Sequence, residues 1–189
     1  GWQTHINHVA KKISRGLYML RILKSNISNE SLLSVYYAYV HSHFNYGIFV
    51  WGNHTSAHTL FVLQKRALRI IYAVSPRTHC KPLFIWFGIL TLLAMFVLTC
   101  LLYARENVKN FIICNSVHNY STRNNSHIYI NRCKYSLVQN SFQYLSLNLF
   151  NSLPVQIRNL SFQVFGRRIR AALVANPLYS IAEFHGISL

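Results

Sequence analysis

The stretch PLFIWFGILTLLAMFVLTCLLYAR, residues 82–105, decides how the rest of this sequence is interpreted. Residues 83–104 carry no charged side chain. At about 1.5 Å of rise per residue, roughly 20 apolar residues in a helix match the thickness of a bilayer's hydrocarbon core. Two interpretations therefore stay open: a buried helix that other helices surround, or one membrane span over residues 84–104. Basic residues flank the run on both sides, so charge indicates no orientation.

Outside this run the chain is strongly basic. Its 189 residues include 19 Lys and Arg against 3 Glu and no Asp, which gives a formal net charge of +16. Hydrophobic residues make up 52%, enough to build a core. A charge of this size indicates a polyanionic partner, either nucleic acid or an anionic membrane surface.

The shortage of acids also excludes several kinds of catalysis. Glu30, Glu106 and Glu183 are the only carboxylates among the side chains, and they are far apart in sequence. Two-metal phosphoryl transfer and most glycoside hydrolysis need clustered carboxylates, and a Ser-His-Asp triad needs an aspartate. The four cysteines form no CxxC pair, and neither His54 and His58 nor His79 belongs to a compact ligand set, so no metal site is expected. No catalytic residue can be assigned.

The N-terminal part is predicted to form amphipathic helices. Residues 5–24 place an apolar residue at every third or fourth position, with Thr4 as N-cap. A second helix is predicted over residues 30–44, after Ser28 or Asn29 as N-cap. A third helix, over residues 56–74, is expected to end at the Ser-Pro pair that follows it.

The C-terminal part is predicted to be less regular. Residues 114–135 are polar and are interpreted as a long loop with one short strand at 128–130. Residues 141–154 are predicted to form a strand leading into a short helix. A last basic helix follows over residues 161–175. The fold class is therefore mostly α: a helical bundle over residues 1–110 and an irregular extension with little β over residues 111–189.

Three of these helices combine an apolar face with a basic outer face, a pattern that suits a phosphate backbone. A solvated surface is the plainer explanation for any one helix, but three such faces with almost no acids favour nucleic-acid binding. Aromatic residues are dense between positions 36 and 51, where burial in the core is favoured over base stacking. The predicted phosphate contacts are Lys11, Lys12, Arg15, Lys65, Arg66, Arg69, Arg167, Arg168 and Arg170.

Several short motifs occur together in a familiar order. They are HSHFNYGIFVWGN at residues 41–53, QKRAL at 64–68 and FNSLPVQIRN at 150–159. With the helix at 5–24 they resemble the C-terminal part of reverse transcriptases from non-LTR, LINE-type retrotransposons of the jockey-like and RTE/CR1-like group. The resemblance extends over about residues 1–173. The positions that carry it most specifically are His43, Asn45, Tyr46, Gly47, Trp51, Gly52 and the NSLP at 151–154.

The resemblance implies a thumb-like bundle and a C-terminal extension that bind template and primer, both RNA and DNA, in the nucleus or cytoplasm. The family's paired aspartates, with their Mg²⁺, would belong to a palm that precedes Gly1. No cofactor is expected in this chain, and it is not expected to polymerise alone. In relatives the segment around ILTL carries charged residues, so the resemblance implies that this copy has lost them.

Two rival interpretations remain beside this one. The chain is a small basic membrane protein with one span at 84–104, or it is a translated remnant of a degraded element without function. Retention in a carbonate-washed membrane pellet would favour the first, and poor folding without salt-dependent binding would favour the second.

Overall fold

The computed structural model describes residues 1–117 and 124–188, and helices form nearly all of the regular structure there. Over those residues no β-strand forms, and an isolated antiparallel bridge joins Ile113 to Ile128. The prediction of a mostly α fold is confirmed. The α-helices of the described ranges are, in chain order, α1 (Trp2–Leu23), α2 (Asn29–Tyr36), α3 (Ser42–Asn45), α4 (Ile48–Trp51), α5 (Ala57–Ile71), α6 (Lys81–Phe87), α7 (Leu92–Glu106), α8 (Cys114–Val117), α9 (Ser136–Gln139), α10 (Phe142–Asn151), α11 (Val155–Arg158) and α12 (Phe162–Ala175).

The apolar run at 83–104 is two helices, not one, so the prediction of a single continuous helix there was wrong. Gly88 ends α6 in the left-handed conformation, with φ 63°, which favours glycine. Thr91 then caps α7, since its hydroxyl accepts the Ala94 N–H at 3.1 Å. The two helices meet at an angle of 57°. In the described part of the chain no single helix has the length and apolarity to cross a membrane, and only this bent pair passes such a test jointly.

Helix α7 lies at the centre of the packing. Helices α4, α5, α10 and α12 all contact it. Its buried residues therefore occur on every side of the helix, including the neighbouring Met95, Phe96 and Val97. A helix that is covered on all sides needs apolar residues all round, which explains why this segment has no polar face.

The break between α6 and α7 frees backbone groups inside the core, and Gln64 satisfies them. Its Nε2 donates to the Leu90 carbonyl at 2.9 Å, and its Oε1 accepts the Leu92 N–H at 2.9 Å. The same Nε2 group donates its second hydrogen to the Tyr36 hydroxyl, with 3.0 Å between the nitrogen and the oxygen. Gln64 is fully buried, so these partners remove the cost of an unpaired amide.

Helices α1 and α5 run side by side in the same direction. The Ser56 hydroxyl donates to the Gln3 side chain at their N-terminal ends, and Arg21 and Arg66 line the same cavity toward their C-terminal ends. The predicted apolar stripe of α1 is buried as expected. The helix begins at Trp2 rather than after Thr4, so the predicted N-cap was wrong.

The second predicted helix is confirmed in outline, but it contains a π-helical turn at Tyr37–His41 between α2 and α3. Ser28 is its N-cap and accepts the Ser31 N–H. Gly16 of α1 allows this turn to come close, because a Cβ there would lie 2.8 Å from the Tyr39 carbonyl oxygen. The third predicted helix ends at Ile71, since Ala73 turns into the left-handed region with φ 53°.

Two predictions for the C-terminal part were wrong. Residues 141–154 were predicted as a strand followed by a helix, but α10 (Phe142–Asn151) occupies most of this range, with the Ser141 hydroxyl accepting the Tyr144 N–H. The predicted strand at 128–130 is only the bridge at Ile128. Residues 118–123 of the predicted loop, and Leu189, lie outside the described residues. The last predicted helix is confirmed as α12.

Candidate nucleic-acid interface

Four basic side chains line one groove where α1 and α5 end. The groove is a cavity of about 670 Å³ whose apolar wall comes from α5 and the turn that follows it. None of the three glutamates lines it, although all three lie in the described ranges. We call this the basic groove; its charged residues are Arg21, Lys24, Arg66 and Arg69.

The positions of these cations have a local explanation. Arg21 lies in the last turn of α1 and Lys24 at its C-cap, while Arg69 lies in the last turn of α5. Positive side chains at helix C-termini are stabilised by the negative end of the helix dipole. A phosphate in this groove would therefore be held by guanidinium and ammonium groups and not by helix N–H groups.

Arg69 is fixed in place by the turn it faces. Its Nε donates to the Thr78 carbonyl at 2.9 Å, and its own carbonyl accepts the Val74 N–H at 3.1 Å. Within the described residues its two Nη groups make no hydrogen bond, so they remain as donors toward the groove. Arg69 thus has a structural role as well as a place in the basic groove.

Lys65 points away from the basic groove. Its Nζ lies 4.5 Å from the centre of the Phe61 ring and 5.3 Å from that of Tyr179, as a cation against two aromatic faces. Burial, together with the nearby Cys80 thiol, raises the pKa of Tyr179 to about 12, so its ring stays neutral. Lys65 therefore contributes to the packing of the C-terminal segment, through Tyr179, against α5.

The three predicted contacts of α1 lie on another side of that helix. Lys11, Lys12 and Arg15 are exposed. Burial lowers the pKa of His43, and the charges of Lys12 and His8 lower it further, which places Lys12 beside α3. The structure thus separates these residues from the basic groove, which α1 faces with Arg21.

The basic residues of α12 form a third surface. Arg167, Arg168 and Arg170 are all exposed. Burial lowers the pKa of His41, and the charge of Arg170 adds to that effect, so this arginine of α12 acts electrostatically on the π-helical turn. Of the nine predicted contacts, only Arg66 and Arg69 lie in the basic groove.

Arg21 and Lys24 were missed by the reasoning from sequence, but a signal for Arg21 was present. The predicted contacts of α1 were chosen opposite its apolar stripe, where a helix faces solvent. Arg21 directly follows the buried Leu20 and lies at the flank of that stripe. A basic residue on the flank of a buried stripe borders the neighbouring helix, so it can share a groove with that helix.

A second, larger cavity has a different chemical character. It measures about 1430 Å³ and lies between α4, α7 and the segment around α10. No lysine or arginine lines it, and its only charged residue is Glu106. Aromatic side chains dominate its walls: Trp2, Phe49, Phe96, Tyr103 and Phe142. A phosphate backbone has no cation to bind there, so the smaller basic groove is the candidate site.

The histidines considered as metal ligands have other contacts. His54 Nδ1 accepts the Ser56 N–H at 3.2 Å, and the His79 ring is stacked on Tyr179 with 6.0 Å between centroids. The ring of His58 packs edge-on against Phe61. Within residues 1–117 and 124–188, no group of three His, Cys, Asp or Glu side chains could hold a metal ion.

No protein-family model, no curated protein and no solved structure is significantly similar to this chain.

Proposed function

We propose that this chain binds nucleic acid through the basic groove, as the thumb and C-terminal extension of an RNA-directed DNA polymerase whose palm lies outside the chain. The partner would be template–primer RNA and DNA, in the nucleus or cytoplasm. Support for the binding part comes from the charge and the groove. Support for the polymerase part comes only from the resemblance of the motifs at 41–53, 64–68 and 150–159.

The observation that carries the proposal is the set of four cations without a carboxylate. Within the described residues the chain makes one salt bridge, between Lys81 and Glu183 at 3.2 Å, and it lies outside the basic groove. The charges of Arg21 and Arg66 are therefore available to phosphates, and binding would release condensed counterions.

A pair of matched double variants tests the binding part. Replacing Arg21 and Arg66 by alanine removes two charges from the groove without touching the Arg69–Thr78 contact. We expect the affinity for an RNA–DNA hybrid to fall by on the order of tenfold per lost phosphate contact at about 0.1 M salt. The control is Arg132→Ala with Lys134→Ala, since both residues are exposed and lie outside the groove. Equal losses in the two double variants would contradict the proposal.

The polymerase part has its own test, at the level of the transcript. A reading frame that continues upstream of Gly1 into a palm with paired aspartates would support it. A stop codon or an unrelated exon immediately upstream would contradict it. The chain would then be a stand-alone remnant, and failure to fold or to bind in a salt-dependent way would indicate one without function.

A membrane-associated basic protein is the second candidate. The bent pair of α6 and α7 is the observation that favours it, since the two helices together are long and apolar enough. Retention in a carbonate-washed membrane pellet is the result expected from this candidate. Release into the supernatant with nucleic-acid binding intact is the result expected from the first.

A further inference from the structure

Trp86 is an unusual aromatic residue because its large ring is 80% exposed, next to the half-exposed Ile85. The other two tryptophans are more covered: Trp2 is 44% exposed and Trp51 is buried. A tryptophan left in water exposes a large apolar ring, which is costly. This exposure was not expected from the sequence, since Trp86 lies in the apolar run.

The Trp86 ring is supported from one side. It meets the Tyr72 ring edge to face, with 6.4 Å between centroids and an interplanar angle of 78°. Tyr72 is packed in turn against Phe87, with 4.2 Å between centroids. The indole thus lies against Tyr72, which packs in turn on Phe87, while most of the indole surface faces solvent. This is the arrangement of a stacking platform for a planar ligand.

The platform and the basic groove share one turn of chain. Tyr72 directly follows α5, and the next two residues, Ala73 and Val74, line the groove. The Val74 N–H donates to the Arg69 carbonyl, so this turn is tied to a groove arginine. Consecutive Cα atoms are about 3.8 Å apart. Tyr72, which contacts the Trp86 ring, is therefore directly adjacent to Ala73 in the groove wall.

We propose that Trp86 stacks on an unpaired nucleobase of a strand whose phosphates lie in the basic groove. The inference rests on the proposed function and adds that the groove prefers single-stranded or overhanging nucleic acid to a blunt duplex. A duplex keeps its bases stacked inside and presents no free base to an indole, whereas every unpaired base has a π-face. Stacking of this kind is tolerant of base identity.

The test compares one oligothymidylate of about 12 nucleotides with a blunt RNA–DNA hybrid of the same length, using the full chain and fluorescence anisotropy. Trp86→Ala should weaken binding to the single strand by on the order of tenfold and leave the hybrid unchanged. Trp86→Phe should retain most of the affinity, because a smaller aromatic ring still stacks. Trp2→Ala is the matched control, as it removes a half-exposed indole that does not line the groove, and should change neither affinity.

The salt dependence separates this inference from the proposed function. Trp86→Ala removes no charge, so the slope of log K against log salt should equal that of the wild type. If the wild type binds with a steep slope and Trp86→Ala binds the single strand equally well, the inference is overturned and the proposed function stands. If the wild type binds neither ligand, both fail. Vesicles with anionic lipid serve as the third ligand, and loss of vesicle binding alone in Trp86→Ala would overturn the inference in favour of a membrane contact.

Discussion

Two residues of the FNSLPVQIRN motif, Asn151 and Arg158, make hydrogen bonds that explain why an asparagine and an arginine occur there. Asn151 binds both backbone groups of Ile128: its Nδ2 donates to the carbonyl at 2.8 Å and its Oδ1 accepts the N–H at 2.9 Å. Arg158 is 7% exposed and donates to the Ser126 carbonyl at 2.8 Å and to its hydroxyl at 3.1 Å. The two side chains thus hold the segment 126–128 against α10 and α11.

Because both residues hold one segment, their contributions to stability should be coupled. Asn151→Ala and Arg158→Ala should each lower the free energy of unfolding by about 1–3 kcal/mol, since the first leaves both backbone groups of the buried Ile128 unpaired and the second removes two hydrogen bonds from a charged side chain. The double variant should lose less than the sum, because the segment needs to be released only once. Urea titrations of the four proteins measure this. Arg168→Ala, on the exposed side of α12, is the control and should change the value by under about 0.5 kcal/mol. Strict additivity would show that the contacts act independently.

His41 predicts a pH dependence of stability. Burial and the charge of Arg170 lower its pKa below 6.5 in the folded chain, whereas the unfolded chain binds the proton near 6.5. The unfolded state therefore takes up more protons as pH falls below about 6.5, and the free energy of unfolding should decrease there. Its contribution is fully present above that pH. Urea midpoints at about pH 8 and about pH 5 measure the drop, which His41→Gln should reduce. A drop of equal size in His41→Gln would contradict this assignment.

At the scale of elements, the break between α6 and α7 depends on Thr91. Its hydroxyl accepts the Ala94 N–H and donates to the Leu178 carbonyl at 2.8 Å, and the residue is fully buried. One side chain thus caps α7 and attaches the C-terminal segment to it.

Thr91→Ala should lower the free energy of unfolding by about 2 kcal/mol, because it removes an N-cap and leaves a buried carbonyl unpaired. Thr91→Ser keeps the hydroxyl and is the matched control, with a smaller loss expected from the missing methyl group. Thermal melts followed by circular dichroism suffice for the comparison. If the two variants are equally destabilised, the hydroxyl is not the cause.

Helices with a polar face could be predicted from the sequence, and helices without one could not. The apolar stripes of α1, α5 and α12 repeat at the helical period and predicted these elements well. The break between α6 and α7 was not predicted from the apolar run. Residues 83–104 show no helical periodicity, and only Gly88 and Thr91 mark the interruption. Residues 145–149 alternate between apolar and polar, which favoured a strand. The helix forms there because Ser141 caps it and α7 covers its buried face.

The basic groove was only half predictable for a related reason. Arg66 and Arg69 were chosen because they face away from the apolar stripe of α5. Lys65 met the same criterion, yet its ammonium group lies against the rings of Phe61 and Tyr179, away from the basic groove. That outcome depends on where the C-terminal segment packs, which local periodicity does not encode.

At the scale of the whole molecule, the distribution of charge is the dominant feature. Helices from both predicted parts, residues 1–110 and 111–189, pack against α7, which carries no charge before Arg105, and most of the basic residues are exposed. A net charge of +16 opposes this compact state by self-repulsion. A polyanion that binds the folded chain would therefore relieve repulsion as well as make contacts, and should stabilise the fold by mass action.

The measurement that tests the central claim most directly is the salt dependence of binding to an RNA–DNA hybrid. Wild type and the Arg21→Ala, Arg66→Ala double variant are titrated between about 50 and 200 mM salt. If these two arginines each neutralise a phosphate, the slope of log K against log salt should become shallower by about 1.8 in the double variant. An unchanged slope, or equal flattening in the Arg132→Ala, Lys134→Ala control, would contradict binding through the basic groove.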